Sequence, residues 1–139
     1  MPNNVSRHRI QMDQYDPHVA PDPEDWLALD EGERILLVEE HHRDARAPLP
    51  RSGRRLHASM HVVVENQLAL ADEPVVRALD RLVREGLSRH DAVHAIGSVV
   101  AEGIYDLLKE QDVPDTARIR YYAAIERLTA ASWQANSDD

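Results

Sequence analysis

The chain contains no cysteine among its 139 residues. This absence excludes disulfide bonds, thiolate catalysis, and zinc or iron-sulfur sites built on cysteine. Histidine and the carboxylates are the strong metal ligands that remain, and the chain has 8 histidines. Any metal ion in this protein would therefore be held by nitrogen and oxygen atoms.

Basic residues are few: 16 lysines and arginines stand against 25 aspartates and glutamates, which gives a formal net charge of -9. Such a charge does not attract phosphate backbones or anionic membrane surfaces. No segment approaches the roughly 20 apolar residues of a membrane span, and residues 1–14 contain no apolar signal region. We expect a soluble, cytoplasmic protein that binds neither nucleic acid nor membranes, with a protein partner or a homodimer left open.

The length suits one domain that buries a core without disulfides. Residues 1–21 are polar, contain three prolines and lack periodicity, so we expect a disordered or surface arm. Residues 22–135 should form a helical bundle domain, and the acidic residues 136–139 should form a frayed tail.

Capping signals and apolar periodicity predict an all-α fold, a single-domain bundle of about five helices without strands. Asp22 before Pro23 marks one helix start, and the capping box from Asp30 to Glu33 marks the next. The later predicted helices cover about residues 54–71, 73–86, 89–111 and 115–134.

Two of the predicted helices each carry a pair of histidines four residues apart, His57 with His61 and His90 with His94. Positions four apart lie about one turn apart on the same helix face, so each pair can direct two imidazoles towards one point. On a helical wheel both pairs fall within the apolar arc of their helix, and Glu65 falls at the rim, about 40° from His61. We therefore expect four inward-facing imidazoles.

Helix connectivity predicts that the two pairs meet. The helix over residues 73–86 returns the chain between the two histidine-bearing helices, so in an up-down bundle these run parallel. Each pair begins within about one turn of its helix N-terminus, which places both pairs at the same level. Inward imidazoles without partners cost roughly 1 to 3 kcal/mol each, so they require a metal ion or hydrogen-bond partners. The available partners are Glu40, Glu65, Glu102 and Tyr105.

Two inward and level pairs favour a metal ion over a set of hydrogen-bonded core histidines. The predicted site is mononuclear. Its ligands are His57, His61, His90 and His94, or three of these histidines together with Glu65. A divalent ion fits such ligands, with zinc as the first candidate and nickel, cobalt, copper or iron as further candidates.

These motifs resemble those of a bacterial family of small helical proteins of unknown function. The pattern of that family has L-H-x-x-x-H near an adjacent E-Q pair, then H-x-x-x-H with a glutamate eight residues later. Here residues 56–67 and 90–102 carry the pattern, with Asn66 inserted into the E-Q pair. The resemblance covers about residues 36–110, and it implies the histidine positions without implying an activity.

A weaker similarity links His61-x-x-x-Glu65 and His90-x-x-x-His94 to the motifs of hemerythrin-like di-iron bundles. The last predicted helix carries no histidine, so the complete di-iron ligand set is missing. A di-iron oxygen carrier is therefore disfavoured.

Three functions are compatible with this pattern. The first is a metal-binding protein, which would be a metal-dependent hydrolase if one coordination position is open to water, with Glu65 as the nearest general base. The alternative is a non-catalytic protein-interaction module whose core histidines are hydrogen-bonded. The third is a pH-responsive bundle whose histidines repel on protonation, so that metal-free protein loses stability from about pH 7 to 5. The roles of His41, His42 and Glu102 stay open.

Overall fold

The computed structural model describes residues 12–44, 51–110 and 114–137. Within these residues the chain is all-helical and contains no strand, so the all-α prediction is confirmed. Seven helices follow one another: α1 (Pro23–Ala28), α2 (Glu31–Asp44), α3 (Arg51–Ala69), α4 (Glu73–Arg84), α5 (Arg89–Glu110), α6 (Pro114–Arg127) and α7 (Ala130–Ser137). Among the helices described, none combines the length and apolar character that a membrane crossing requires.

The first two helices begin at the predicted caps. Asp22 Oδ1 accepts a hydrogen bond of 2.9 Å from the backbone N–H of Glu24, and Pro23 occupies the first helical position. At the next start, Asp30 accepts from the backbone N–H of Glu33 at 2.8 Å, and the Glu33 carboxylate accepts from the backbone N–H of Asp30 at 2.9 Å. This reciprocal pair is a capping box, which satisfies N–H groups that a helix start otherwise leaves without an intrahelical partner.

Helix α3 lies at the centre of the bundle because it is packed on two faces. Towards α4, α5 and α6 it contributes Val64 to a core that also contains Ile96. Towards α1, α2 and the N-terminal arm it contributes Val62 to a second core, with Trp26 and Val38. All five side chains are almost completely buried, and burial of each stabilises the fold by roughly 1.5–3 kcal/mol. The two cores hold α3 in a defined rotation about its axis.

The described part of the N-terminal arm, residues 12–21, lies against the bundle. Tyr15 and Pro17 are buried, and the Tyr15 ring packs on Trp26 with 5.7 Å between the ring centroids. Aromatic pairs at this separation contribute stabilisation beyond their buried area. The remainder of the expected arm, residues 1–11, lies outside the described residues.

The two histidine-bearing helices do not run parallel as we expected. Their contacts follow antiparallel order: His57, in the first half of α3, meets His94, whereas Glu65, near the end of α3, meets Arg89 at the start of α5. A parallel pair that aligned His57 with His94 would leave Glu65 about 13 residues, or roughly 20 Å, from Arg89 along the helix axis. Helix α4 packs on α5 and α6 as well as on α3, and the simple up-down return that we assumed took account of α3 and α5 alone.

The predicted last helix is two helices, α6 and α7, separated by Leu128 and Thr129. The backbone N–H of Ser132 donates to Thr129 Oγ1 at 3.0 Å, and that of Thr129 donates to Ser132 Oγ at 3.1 Å. The prediction of one continuous helix was wrong because this second capping box was treated as helix interior. Helix α7 ends at Ser137, and residues 138–139 of the expected tail lie outside the described part of the chain.

Candidate metal centre

Helices α3 and α5 bring four imidazoles into contact. The ring centroids of His57 and His61, one turn apart on α3, are separated by 5.1 Å, and those of His90 and His94 on α5 by 4.4 Å. Between the helices, the His94 ring lies 4.4 Å from the His57 ring and 4.5 Å from the His61 ring. All four side chains are buried or half-buried. The structure therefore joins the two predicted pairs into one histidine cluster.

A close contact within the histidine cluster joins Nε2 of His57 to Nε2 of His94 at 2.8 Å. In a hydrogen bond between these atoms one nitrogen donates and the other accepts, so at least one of the two rings is neutral. One ring nitrogen from each of His57, His61 and His94 lies within 4.8 Å of the others. Imidazole nitrogens at this spacing could bind one metal ion.

Tyr15 determines which nitrogen of His61 carries the proton. The Tyr15 hydroxyl lies 3.1 Å from Nδ1 of His61 and donates its hydrogen bond to Oε2 of Glu65. Burial, the charge of Glu65 and this hydrogen bond raise the pKa of Tyr15 well above its ordinary value, so the phenol keeps its single proton. Because that proton points at Glu65, the His61 Nδ1–H must donate to the tyrosine oxygen. In the neutral ring the lone pair of His61 is then on Nε2, an atom shielded from solvent.

Glu65, the expected carboxylate ligand, forms a bidentate ion pair with Arg89. It is 1% exposed, and its two oxygens accept from Arg89 Nη2 at 2.8 Å and Nη1 at 2.9 Å. Arg89 also donates to the carbonyl of Pro17 at 2.8 Å. Burial alone would lower the pKa of Arg89, but the hydrogen bond and charge of Glu65 raise it above its ordinary value. Glu65 thus reaches the histidine cluster through Tyr15.

The histidine cluster extends towards the N-terminal arm through His90. The His90 ring centroid lies 5.7 Å from that of His41, at the end of α2, and 5.4 Å from that of His18 in the arm. The Nε2 atom of His90 is shielded from solvent. His41 and His18 therefore border the histidine cluster at His90, whereas the side chain of His42 lies outside the described residues.

Glu102 lies apart from the histidine cluster. Its side chain is exposed and lines a cavity of about 290 Å³ between α5 and α6, together with Tyr121 and Arg120. Glu102 therefore belongs to a different part of the protein surface from the histidine cluster.

A second cavity, of about 410 Å³, lies beside the histidine cluster. His57, His61 and His94 all contribute to its wall, and Gly97 and Trp133 line it further along. A Cβ atom on Gly97 would stand 3.5 Å from the Cβ of Met60, so α3 and α5 approach each other closely at this point. The three clustered imidazoles thus share one wall of this cavity.

Two residues of the site, Tyr15 and Arg89, were not predicted from the sequence. Tyr15 is the one aromatic residue within residues 1–21, and an aromatic side chain in a polar segment is a signal for an anchor into the core. Arg89 stands in the first turn of α5, where the helix dipole disfavours a positive charge. That unfavourable position was a signal for a carboxylate partner elsewhere in the chain.

Comparison with known proteins identifies a family without assigning a function. No curated protein and no solved structure matches the chain, and the weak similarity to hemerythrin-like bundles is not shown. One family match extends over residues 31–127. This range contains the four clustered histidines of α3 and α5 and also Arg89, and it begins after Tyr15. The chain therefore belongs to the family described as a domain of unknown function, DUF1841.

Proposed function

We propose that this protein binds a single divalent transition-metal ion through the imidazoles of His57, His61 and His94. The observation that carries the proposal is the spacing of their nitrogens, 2.8 Å between two Nε2 atoms and within 4.8 Å for the full set. Zn–N bonds of about 2.0–2.1 Å set tetrahedral donor atoms roughly 3.3 Å apart. The observed separations, from 2.8 Å to at most 4.8 Å, bracket this value, so metal binding requires the rings to rotate about their side-chain bonds.

The ligand type favours zinc. Three neutral imidazoles and one further position form a common zinc coordination set, and the chain has no cysteine to offer a softer ligand. Nickel, cobalt, copper and iron also accept imidazole, and copper binds most nitrogen sites more tightly than zinc does. The cellular metal therefore depends on availability as well as on affinity.

The contacts of Tyr15 support the same proposal. A metal-bound histidine typically donates its other ring N–H to an oxygen atom, which fixes the tautomer and orients the ring. The His61 Nδ1–H donates to Tyr15, whose own proton is held by Glu65. This chain of hydrogen bonds leaves the lone pair of His61 on Nε2, as a metal ligand requires.

The proposal does not include His90 or Glu65 among the metal ligands. His90 packs on His94 from the side of the N-terminal arm, and its ring is 5.4 Å from that of His61. The Glu65 oxygens are engaged by Arg89 and Tyr15, and turning this carboxylate to a metal would leave a largely buried guanidinium without its ion partner. We therefore do not assign Glu65 the role of a general base.

Metal content measured by plasma mass spectrometry, on protein purified without a histidine tag, tests the proposal. We expect close to one metal ion per chain in the wild type and none in a variant carrying both His57→Ala and His94→Ala. Ser59→Ala is the matched control, because Ser59 is on the same helix and its hydroxyl donates to the carbonyl of Arg55. It should keep the wild-type metal content.

Two outcomes would change the assignment. If the wild type holds no metal even after incubation with zinc, nickel and iron, the metal proposal fails, and a protein-interaction module with hydrogen-bonded core histidines remains. The 2.8 Å contact of His57 with His94 supports that alternative, since it satisfies both atoms without an ion. Loss of the metal in His90→Ala would instead make His90 a ligand.

A further inference from the structure

The cavity beside the histidine cluster has the size of a small-molecule site. Its volume of about 410 Å³ falls within the range of about 300–1,000 Å³ that is usual for ligand pockets. The wall away from the histidines is formed largely by apolar or small residues. These are Leu56, Met60, Val93, Gly97, Ala101 and Trp133.

No acidic residue, lysine or arginine occurs among the described residues that line this cavity. Among the same described residues, Ser98 carries the one hydroxyl group, and it donates to the carbonyl of Ala95 at 2.7 Å. An uncharged, apolar ligand body suits this cavity best, because the described part of the wall offers no partner for a charge. Polar contact is concentrated where His57, His61 and His94 line the cavity.

The proposed metal site faces the cavity, because its three histidine ligands line the cavity wall. His90 contacts the cluster from the side of the N-terminal arm and does not line the cavity, whereas the three proposed ligands do. Zinc held by three protein ligands takes its fourth from water or from a bound molecule. Three neutral imidazoles leave the full charge of the ion in an apolar environment, so an anionic oxygen donor is the favoured fourth ligand.

We propose that the cavity binds a small apolar monocarboxylate, whose carboxylate coordinates the metal ion and whose hydrocarbon body packs between Gly97, Ala101 and Trp133. This inference rests on the proposed metal site and adds the chemical class of its ligand. It requires an apolar body and a single anionic end in the same molecule.

The test uses full-length protein whose zinc content has first been measured. Hexanoate is the probe, acetate supplies the same carboxylate without the body, and 1-hexanol supplies the body without the charge. Calorimetric titration should show hexanoate binding at least tenfold more tightly than acetate, because several buried methylene groups each strengthen binding. It should also bind at least tenfold more tightly than 1-hexanol, because only the carboxylate supplies an anionic donor to the ion. Metal-free protein should bind hexanoate at least tenfold more weakly than zinc-loaded protein.

One variant tests the contribution of the cavity to binding independently of the metal site. Ala101 is exposed and lies seven residues, about two turns, beyond His94, so Ala101→Phe fills the far part of the cavity without touching a ligand. We expect unchanged zinc content and acetate affinity but at least tenfold weaker hexanoate binding. Glu102→Gln, at the neighbouring exposed position, is the matched control and should bind hexanoate as the wild type does.

The possible failures are distinguishable. Protein that holds no zinc overturns the metal site and this inference with it. Zinc-loaded protein that binds hexanoate no better than acetate overturns the inference and leaves the metal site standing. Equal hexanoate affinity with and without zinc, or in the Ala101→Phe variant, also overturns it, since the ligand would then be held elsewhere.

Discussion

Replacing Tyr15 by phenylalanine removes one hydroxyl and leaves the ring packed against Trp26. The hydroxyl joins the Glu65 carboxylate to His61. A hydrogen bond to a charged group contributes about 1.5–3 kcal/mol and one between neutral groups about 0.5–1.5 kcal/mol. Arg89 still holds both Glu65 oxygens in the variant, which limits the penalty. We expect metal-free Tyr15→Phe protein to be about 2–3 kcal/mol less stable than the wild type.

The same substitution should weaken zinc binding about 10–100-fold, which is the usual effect of losing an outer-shell hydrogen bond. Without the tyrosine oxygen, the His61 Nδ1–H loses its acceptor, and the ring is no longer held with its lone pair on Nε2. Urea unfolding of metal-free protein, followed by circular dichroism, measures the stability change. Competition with a chromophoric chelator measures the zinc affinity separately.

Tyr122→Phe is the matched control for this experiment. The Tyr122 hydroxyl also donates to a carboxylate, that of Asp72, at 2.8 Å, and neither residue contributes to the histidine cluster. The control should keep wild-type zinc affinity. If Tyr15→Phe loses stability but binds zinc as tightly as the wild type, then the Tyr15 hydroxyl serves only the fold and our reasoning about His61 is refuted.

Three further predictions concern the fold. Glu65→Gln should lower the free energy of unfolding in urea by about 3–5 kcal/mol, because it leaves the Arg89 guanidinium, whose side chain is 13% exposed, without its ion partner. Glu73→Gln, at a surface ion pair, should lower it by less than about 1 kcal/mol. Equal losses in the two variants would contradict this account. Leu82→Ala should lower the free energy of unfolding by about 2–5 kcal/mol, because Leu82 is fully buried in the core formed by α4 to α6. A loss below about 1 kcal/mol would contradict this prediction and would mean that the core collapses around the cavity. Burial raises the pKa of Tyr121 above its ordinary value, so the folded phenol keeps a proton that the unfolded one releases near pH 10; its contribution to stability is complete below about pH 10 and is lost as the pH rises further. The urea midpoint should therefore fall from about pH 10 to 12, less steeply in Tyr121→Phe than in the wild type, and identical slopes would contradict the assignment.

Much of the helical structure was predictable from residue order because its causes are local. The capping box of Asp30 and Glu33 acts within one turn, and an apolar stripe reports which side of a helix is buried. The spacing of four residues between His57 and His61 likewise puts both imidazoles on one face of any helix. The break before α7 was readable in principle at Thr129, although the surrounding apolar pattern suggested a continuous helix.

The direction of α5 relative to α3 was not predictable in this way. It depends on how α4 packs against three other helices, and an up-down bundle was the simplest assumption for its length. The four histidines still meet because the helices are in contact at the level of both pairs, whichever direction they run. A correct prediction of proximity thus followed from a wrong prediction of orientation.

Residue order alone was sufficient for the helical class, the absence of cysteine ligands and the identity of the histidines that face inward, since each follows from composition or from contacts within a few turns. Three features depend on residues far apart in the chain: the tautomer of His61, the ion pair between Glu65 and Arg89, and the adjoining cavity. Tyr15 is 46 positions from His61, and Arg89 is 24 positions from Glu65. Such contacts arise only when helix packing brings distant segments together and buries their charges as pairs. The chemistry of the site is therefore a property of the packed bundle, because burial decides which groups stay protonated and which oxygens remain accessible.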